Sequence, residues 1–249
     1  MLEFLLLFVL FYYWHMFGIT IGYHRLLSHR SFTCPKFIEY FFVLSGYLGF
    51  QSSPIWWSTI HRAHHRHSDT PLDPHSPRYG MARAHLGWIF QSSYPDHIDP
   101  IKQAPDLTRD PLYRALDMGG HPNAAHLLNS VIGFGFRVLL LVAFGWKVAL
   151  ASTLAGLAAQ QLPFLLNVVC HMPALGYQNG LSKDDSVNIW WVAILTAGEG
   201  WHNNHHVEPG SAKSGVKKHE IDASWIVISM LAATGLASVR KSKRSAATT

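Results

Sequence analysis

HRAHH at residues 61–65 recurs as HNNHH at residues 202–206, and a further histidine pair bounds the segment HRLLSH at residues 24–29. Each of these three motifs lies beside long apolar stretches. Neutral imidazole binds iron, zinc, copper and nickel without adding negative charge near a bilayer. The pattern therefore predicts a metal site in a membrane protein. The histidines concerned are His24, His29, His61, His64, His65, His202, His205 and His206.

The number and spacing of these histidines favour two metal ions. Half of the set would saturate a four-coordinate zinc ion, so two metals sharing it is the economical interpretation. On an α-helix, positions i+3 and i+4 lie near the face of i but about 100° from each other, so one HxxHH motif can serve two neighbouring metals. His24 and His29 would lie roughly 140° apart on a regular helix. Either they serve different metals or the helix frays there.

The composition fits a membrane protein of one domain, residues 1–249. Of these residues 49% are apolar and only 14% are charged. The formal charge of +5 could suggest a nucleic-acid partner, but the basic residues form no stripe interleaved with aromatic residues, so we expect none. Cys34 and Cys170 form no CxxC motif and are interpreted as buried small residues.

Three apolar stretches are long enough to cross the bilayer. Residues 2–22 run directly into the first histidine motif and are interpreted as a retained span, because a basic leader and a small-residue cleavage site are missing. Residues 127–169 are interrupted by Gly145-Trp146-Lys147 and are predicted to form two spans, 127–145 and 148–169, joined by a tight turn. This hairpin starts and ends on the side of the membrane that carries the histidine motifs.

The basic residues orient these spans. Ten Lys and Arg lie between Tyr23 and His126 and eight follow His171, so 18 of the 20 fall on one side of the hairpin. By the positive-inside tendency this side is cytoplasmic, and it carries every histidine motif. We therefore predict an all-α integral membrane protein, multi-pass, whose transmembrane helices support a cytoplasmic helical cap that holds the metal site.

Two further apolar segments are predicted to be interfacial helices. A span at residues 37–50 would place the first two histidine motifs on opposite sides of the membrane. A span at 221–239 would place the basic run 240–244 on the non-cytoplasmic side. The apolar run 187–197 is too short to cross.

A ninth histidine follows the last predicted span. Asn167 and His171 lie four residues apart and so face the same side of a helix, at the boundary that carries the motifs. A histidine at a helix end is more often a solvated or capping residue, but here the topology brings it to the other histidines. His171 is therefore predicted to be a ligand, and Asn167 to hold a metal-bound water. Asp69, Asp73 and His75 either orient ligands or belong to a solvated loop.

Other candidate residues have plainer interpretations. His15 lies inside a predicted span and needs a polar partner. Glu199 and His202 form a single ExxH, which is too little for the soluble di-iron carboxylate bundles. Trp56 and Trp57, just before the second motif, are either walls of a substrate tunnel or aromatic residues of the membrane interface.

The runs GYHRLLSHRSF, HRAHH, NVVCH and GEGWHNNHH, with DPHSPRYG and HLGW between them, resemble the membrane fatty acyl desaturases of the acyl-CoA and acyl-lipid delta-9 type. The likeness extends from about Gly18 to Ser238 and includes the order and spacing of the motifs. In that family nine histidines bind a di-iron centre, with an asparagine-held water nearby. The resemblance implies the ligands His24, His29, His61, His64, His65, His171, His202, His205 and His206, with Asn167 as the asparagine.

The resemblance also implies the reaction. Two electrons and O2, acting through two iron ions (Fe2+/Fe3+), would remove two hydrogens from adjacent methylenes of a long acyl chain and leave a mid-chain cis double bond, of the delta-9 type. Unactivated C–H bonds offer no acidic proton, so general acid–base groups alone could not do this. The protein would hold the acyl chain in a narrow apolar tunnel beside the irons.

The chain departs from the family pattern in places that bear on substrate and topology. Members usually have two spans before the first histidine motif and this chain has one, so either the N-terminus lies outside or the start is truncated relative to its relatives. Animal acyl-CoA members carry charged residues where this chain has Ser58-Thr59-Ile60 and Ser92-Ser93. Because the phosphates of CoA call for cations, a lipid-linked acyl chain is at least as well supported as acyl-CoA.

The sequence contains no electron-transfer module of its own. It lacks an HPGG haem motif, a GxGxxG motif and a cysteine set for an iron–sulfur cluster. An external donor of the ferredoxin or cytochrome b5 type is therefore expected on the cytoplasmic face. Arg62, Arg66, Lys217 and Lys218 are candidate contacts for an acidic carrier, or simply solvated loop charges.

Two alternatives remain open at the level of sequence. A membrane fatty acyl or alkane hydroxylase would use a similar histidine-rich site to insert oxygen. A membrane metal-binding or transport protein is a more remote alternative, because such proteins usually place ligands inside the spans or in low-complexity loops.

Overall fold

The computed structural model describes residues 1–90 and 93–242, so Ser92, Lys243 and Arg244 of the segments discussed above lie outside the described residues. The α-helices are α1 (Leu2–Phe17), α2 (Lys36–Leu48), α3 (Pro54–His67), α4 (Pro100–Gln103), α5 (Pro111–Leu116), α6 (Pro122–Phe144), α7 (Trp146–Val169), α8 (Trp190–Leu195), α9 (His202–Val207) and α10 (Ala223–Ala233). Two π-helical segments (Gly18–Ser28 and Arg83–Gly87), three short 3-10 turns (Pro77–Tyr79, Met118–Gly120 and Pro173–Leu175) and two two-residue strands, β1 (Phe32–Thr33) and β2 (Ser238–Val239), complete the described fold.

Three of the described helices are long and apolar enough to cross a membrane, which confirms the predicted helical membrane architecture. They are Leu2–Ser28, Pro122–Phe144 and Trp146–Val169. The last two form a hairpin whose turn is Gly145, at a φ of 84° that favours glycine. The first combines α1 with the π-helical segment that follows it, so the helix is longer than the predicted 2–22 and carries His24.

The first long helix changes its surroundings along its length. Leu2, Leu5 and Leu6 are exposed, as expected of side chains that face lipid. Every residue from Gly18 to Ser28 is buried. The apolar part of this helix therefore leads directly into the packed region that contains the histidines.

Helix α2 packs antiparallel against the end of this helix at a glycine contact. Gly18 and Gly46 are so close that a Cβ atom on Gly18 would lie 2.1 Å from the Gly46 nitrogen. On the opposite side of α2, Phe37, Phe41 and Leu44 are exposed at helical spacing. The helix thus buries one face against the first long helix and presents an apolar stripe outward.

The turn that follows α2 lies level with the middle of the α6–α7 hairpin. The Phe50 ring packs against Gly133, midway along α6, where an added Cβ would lie 2.6 Å from it. Irregular backbone at this depth needs hydrogen-bond partners from the protein, because lipid supplies none. Gln160 donates to the Phe50 carbonyl at 3.0 Å, and the Ser52 N–H donates to Asn129 at 3.1 Å. The interfacial placement of residues 37–50 stays a prediction.

A buried arginine fixes the same turn. The Arg137 guanidinium lies 4.6 Å from the centre of the Phe50 ring and donates to the Gly133 carbonyl at 2.9 Å. Its second terminal nitrogen is 3.2 Å from His15 Nε2, and His15 Nδ1 is 2.7 Å from the Ser45 carbonyl. His15 therefore has the polar partners that its place inside a span requires.

The C-terminal part closes over the first histidine motif. The segment 221–239, predicted as one helix, is helical only over Ala223–Ala233, because Gly235 adopts a φ of +75° and turns the chain. Strand β2 then pairs antiparallel with β1, and the Arg240 N–H donates to the Ser31 carbonyl at 2.9 Å. The C-terminal end of the described fold is thereby joined to the segment just after His29.

We expect Gly18→Ala to lower the free energy of unfolding by about 1–3 kcal/mol, because the new methyl group overlaps Gly46 and the helices must separate. Thermal unfolding of the purified protein in detergent measures this. Gly135→Ala is the matched control, since nothing lies within 4 Å of a Cβ at Gly135. Equal melting temperatures for the two variants would contradict the close contact.

Candidate metal centre

The structure brings all nine predicted histidines together in two adjacent groups. Within each group one ligand atom from every residue lies within 4.8 Å of the others. The five-histidine group contains His24, His29, His61, His65 and His205, and the four-histidine group contains His64, His171, His202 and His206.

The first histidine motif owes its geometry to the π-helix. One π-helical turn closes from residue i to i+5, so residues five apart return to the same face. The His29 N–H accordingly donates to the His24 carbonyl at 3.1 Å, and the two ring centres are 4.7 Å apart. The sequence suggested that the two histidines serve different metals or that the helix frays. Instead they join one group because the helix is wound more loosely.

The two HxxHH motifs divide between the groups as their helical spacing predicts. In α3, His61 and His65 belong to the five-histidine group, whereas His64 points into the four-histidine group. Helix α9 makes the opposite contribution: His202 and His206 enter the four-histidine group and His205 enters the five-histidine group.

The nitrogen atoms are arranged as metal ligands are. His24 Nε2 lies 3.1 Å from His205 Nε2, and His171 Nε2 lies 3.1 Å from His202 Nε2. Neighbouring ligands of a six-coordinate metal, each about 2.1 Å from the ion, are separated by about 3 Å. His206 Nε2 is buried without a hydrogen-bond partner among the described residues. A cation would complete this convergence of lone pairs, so the residues present fit a metal ion in each group.

Carboxylates orient the rings of the four-histidine group. A ring that donates from Nδ1 to a carboxylate keeps its Nε2 lone pair for the metal. Such contacts are 2.9 Å from His171 to Asp69, 3.0 Å from His64 to Asp73 and 2.7 Å from His206 to Asp184. The sequence left the roles of Asp69 and Asp73 open, and the structure places both directly behind histidines of the group.

One carboxylate contacts the five-histidine group in a different way. Glu199 lies 2.8 Å from His24 Nδ1 and accepts from Arg25 Nε at 3.0 Å. Arg25 is fully buried and also bonds Asp222, the residue that caps α10. The single ExxH motif therefore supplies a residue behind the site rather than a bundle of metal-binding carboxylates.

The protonation of the site suits metal binding. Burial lowers the pKa of His65, His202 and His205 well below the usual value, and neighbouring histidines lower it further. Burial acts to raise the pKa of Asp69, but the contact with His171 and the hydrogen bonds from Asp185 and Ser76 together outweigh this and bring it to about 2. His65, His202 and His205 are therefore neutral ligands near pH 7, and Asp69 behind the four-histidine group is ionised.

An apolar cleft of about 620 Å³, including the open solvent at its mouth, is lined by histidines of both groups. Asn167 lines the cleft together with His24 and His202, and within the described chain no hydrogen bond holds its amide. Trp57 also lines it, whereas Trp56 is buried away from it and stacks on Trp88 at 5.2 Å. Apolar walls come from Met16, Ile19, Ile60, Phe164 and Leu166.

Two residues of the site gave no usable signal in the sequence. Asp184 stands in a polar loop between α7 and α8, and only the fold brings it to His206. Arg25 is part of the first motif, yet a buried role for it could be inferred only once the carboxylate of Glu199 had been placed beside it. The ring of His75 lies 4.4 Å from that of His64, and its Nδ1 is buried with no hydrogen-bond partner among the described residues.

Comparison with known proteins agrees with this geometry. The model of the fatty acid desaturase family matches residues 2–221. The chain belongs to the fatty acid desaturase family. It is therefore an oxidoreductase that desaturates fatty acyl chains, and the resemblance predicted from its motifs is confirmed.

Named relatives of the desaturase include enzymes of both substrate types. It is 39% identical to the sn-1 stearoyl-lipid 9-desaturase of Anabaena variabilis, over 88% of this chain and 77% of the relative. It is 41% identical to the sn-2 palmitoyl-lipid 9-desaturase of Nostoc sp. (strain 36), over 88% and 75%. It is also 41% identical to an acyl-CoA 5-desaturase of Anemone leveillei, over 89% and 66%.

We expect the iron-loaded desaturase to hold two metal ions, and His202→Ala and His205→Ala each to retain about one, because each removes a ligand from a different group. Metal analysis of the purified protein gives these ratios. His121→Ala is the control, since His121 is exposed and belongs to neither group. Loss of metal from the control alone, or from none of the variants, would contradict the assignment.

Proposed function

We propose that the desaturase uses the nine histidines to hold two iron ions, with Asn167 holding a water beside them, and introduces a cis double bond at the delta-9 position of a lipid-linked acyl chain. The observation that carries this is the apolar cleft that ends at both histidine groups. An acyl chain in the cleft would have its methylenes beside the metals. Two relatives whose names specify lipid 9-desaturation support the position of the double bond.

Iron is the metal that suits both the ligands and the reaction. Imidazole binds several divalent metals, but removing hydrogen from an unactivated methylene needs a metal that changes oxidation state with O2, which zinc does not. When bound, the iron pair supplies that O2-dependent oxidising power. The histidines fix the metal positions through Nε2, and Asp69, Asp73 and Asp184 keep three of the rings oriented through Nδ1.

The remaining work of the protein is to position the chain. Trp57 and Phe164 narrow the cleft, and its apolar walls exclude water from the methylenes that react. A chain held beside His24 and His202 lies against both groups at once, so position along the cleft selects which pair of carbons is attacked.

The cleft favours a lipid-linked chain over acyl-CoA. Among the residues that the structure describes, those that line it include histidines and Glu199 but neither Lys nor Arg. The phosphates of CoA would need cationic partners. A membrane lipid would instead reach the cleft from the bilayer in which the three long helices lie.

The topology and electron supply follow from the same arrangement. We propose a multi-pass protein whose histidine groups face the cytoplasm, because most basic residues lie on that side. An external ferredoxin or cytochrome b5 would supply electrons there. Arg62 is a poor candidate contact, because it is bound to Asp106 by two hydrogen bonds of 2.8 and 2.9 Å.

Expression in a host without its own desaturase, with a matching reductant, should yield new delta-9 monounsaturated chains in the lipid fraction. His205→Ala should reduce them at least about 100-fold, because the metal centre is incomplete. Gas chromatography and mass spectrometry of each lipid class measure the products, with His121→Ala as the control. Products that carry a hydroxyl group would favour the hydroxylase alternative, and metal uptake without any change in acyl chains would favour the metal-binding protein.

A further inference from the structure

The two histidine groups differ in the charge that lies behind them. Three ring nitrogens of the four-histidine group donate to carboxylates: those of His171, His64 and His206. In the five-histidine group, the only such carboxylate among the described residues is Glu199, which lies 2.8 Å from His24 Nδ1.

The arginines near the two groups are paired with carboxylates, Arg62 with Asp106 among them. Arg25 pairs with Glu199 at 3.0 Å and so balances the one carboxylate behind the five-histidine group. Arg62 follows His61 directly in α3. Near the four-histidine group, Arg78 pairs with Asp185, a carboxylate that contacts none of the histidines. The four-histidine group therefore has an excess of negative charge, whereas the five-histidine group is close to neutral.

We propose that the two iron positions are electronically unequal: Asp69, Asp73 and Asp184 stabilise Fe3+ in the four-histidine group, so that the iron of the five-histidine group accepts the first electron. This inference rests on the proposed di-iron function. It assigns the two groups different tasks in the same centre.

Simple electrostatics gives the direction. Negative charge a few ångströms from a metal favours the ion of higher charge, and a carboxylate behind an imidazole makes that imidazole a stronger donor. The three carboxylates behind the four-histidine group therefore stabilise Fe3+ more than Glu199 does, because Glu199 is already paired with Arg25. One electron from the external donor converts one Fe3+ to Fe2+, a second electron converts the other, and no bond is broken in either step.

The burial of the ligands fits this order of reduction. Three members of the five-histidine group, His29, His61 and His65, are only partly buried, whereas three of the four in the other group are fully buried. An electron carrier at the protein surface would therefore approach the five-histidine group first.

The charge-neutral substitution Asp184→Asn tests this. Its amide oxygen can still accept from His206, so the shape is kept while one negative charge is removed. Asp185→Asn is the matched control, because the neighbouring carboxylate bonds Arg78 and contacts no histidine. Protein loaded with 57Fe and oxidised is titrated with dithionite, and Mössbauer spectra count Fe2+ and Fe3+ after each equivalent.

In the unaltered desaturase we expect two separate reduction steps, with mixed Fe2+/Fe3+ centres abundant after one equivalent. Asp184→Asn should make the second reduction more favourable, so the equilibrium constant for forming the mixed Fe2+/Fe3+ centre falls at least about tenfold. Asp185→Asn should leave this constant unchanged. Asp73→Asn, which acts on His64, should give the same shift and serves if Asp184→Asn misfolds.

The outcomes separate this inference from the function on which it rests. Unaltered protein that fails to load two irons, or that makes no double bonds, overturns the proposed function. Protein that does both overturns only the present inference if its two irons are reduced together, or if Asp184→Asn and Asp73→Asn behave like Asp185→Asn.

Discussion

Nine imidazoles from distant parts of the chain must meet within a few ångströms, and the rest of the structure depends on this constraint. Lone pairs held so close together repel one another until a cation lies between them. The protein can hold them there only because each contributing backbone segment is fixed from behind. Buried ionic contacts do this: Arg25 ties the first motif to Glu199 and Asp222, and Asp69 ties the end of α7 to the loop after α3.

The bilayer imposes the second constraint. The α6–α7 hairpin and the first long helix supply apolar surface, but the turn after α2 brings irregular backbone to the middle of that hairpin. Asn129, Gln160 and Arg137 bond or cover it, so these three polar residues of the spans serve the fold.

Much of the site could be predicted from the sequence because helical spacing carries geometric information. The division of each HxxHH motif between two groups follows from the α-helix, and His171 followed from the topology of the hairpin. The π-helical winding at His24 could not be predicted, because no residue pattern there distinguishes it from an α-helix. Asp184 and Arg25 could not be assigned either, since their partners lie far away in the sequence and depend on how loops pack.

The pairing of the first motif with the C-terminal part has a consequence for biosynthesis. Arg25 leaves the ribosome 197 residues before Asp222, and β1 likewise waits for β2. Until the chain has been synthesised as far as Asp222, the guanidinium lacks this partner, and until α9 has been synthesised its histidines do not exist. The histidine site can therefore be completed only after these distant segments have been synthesised, so the nascent membrane protein passes through a state in which the first two motifs are present without α9.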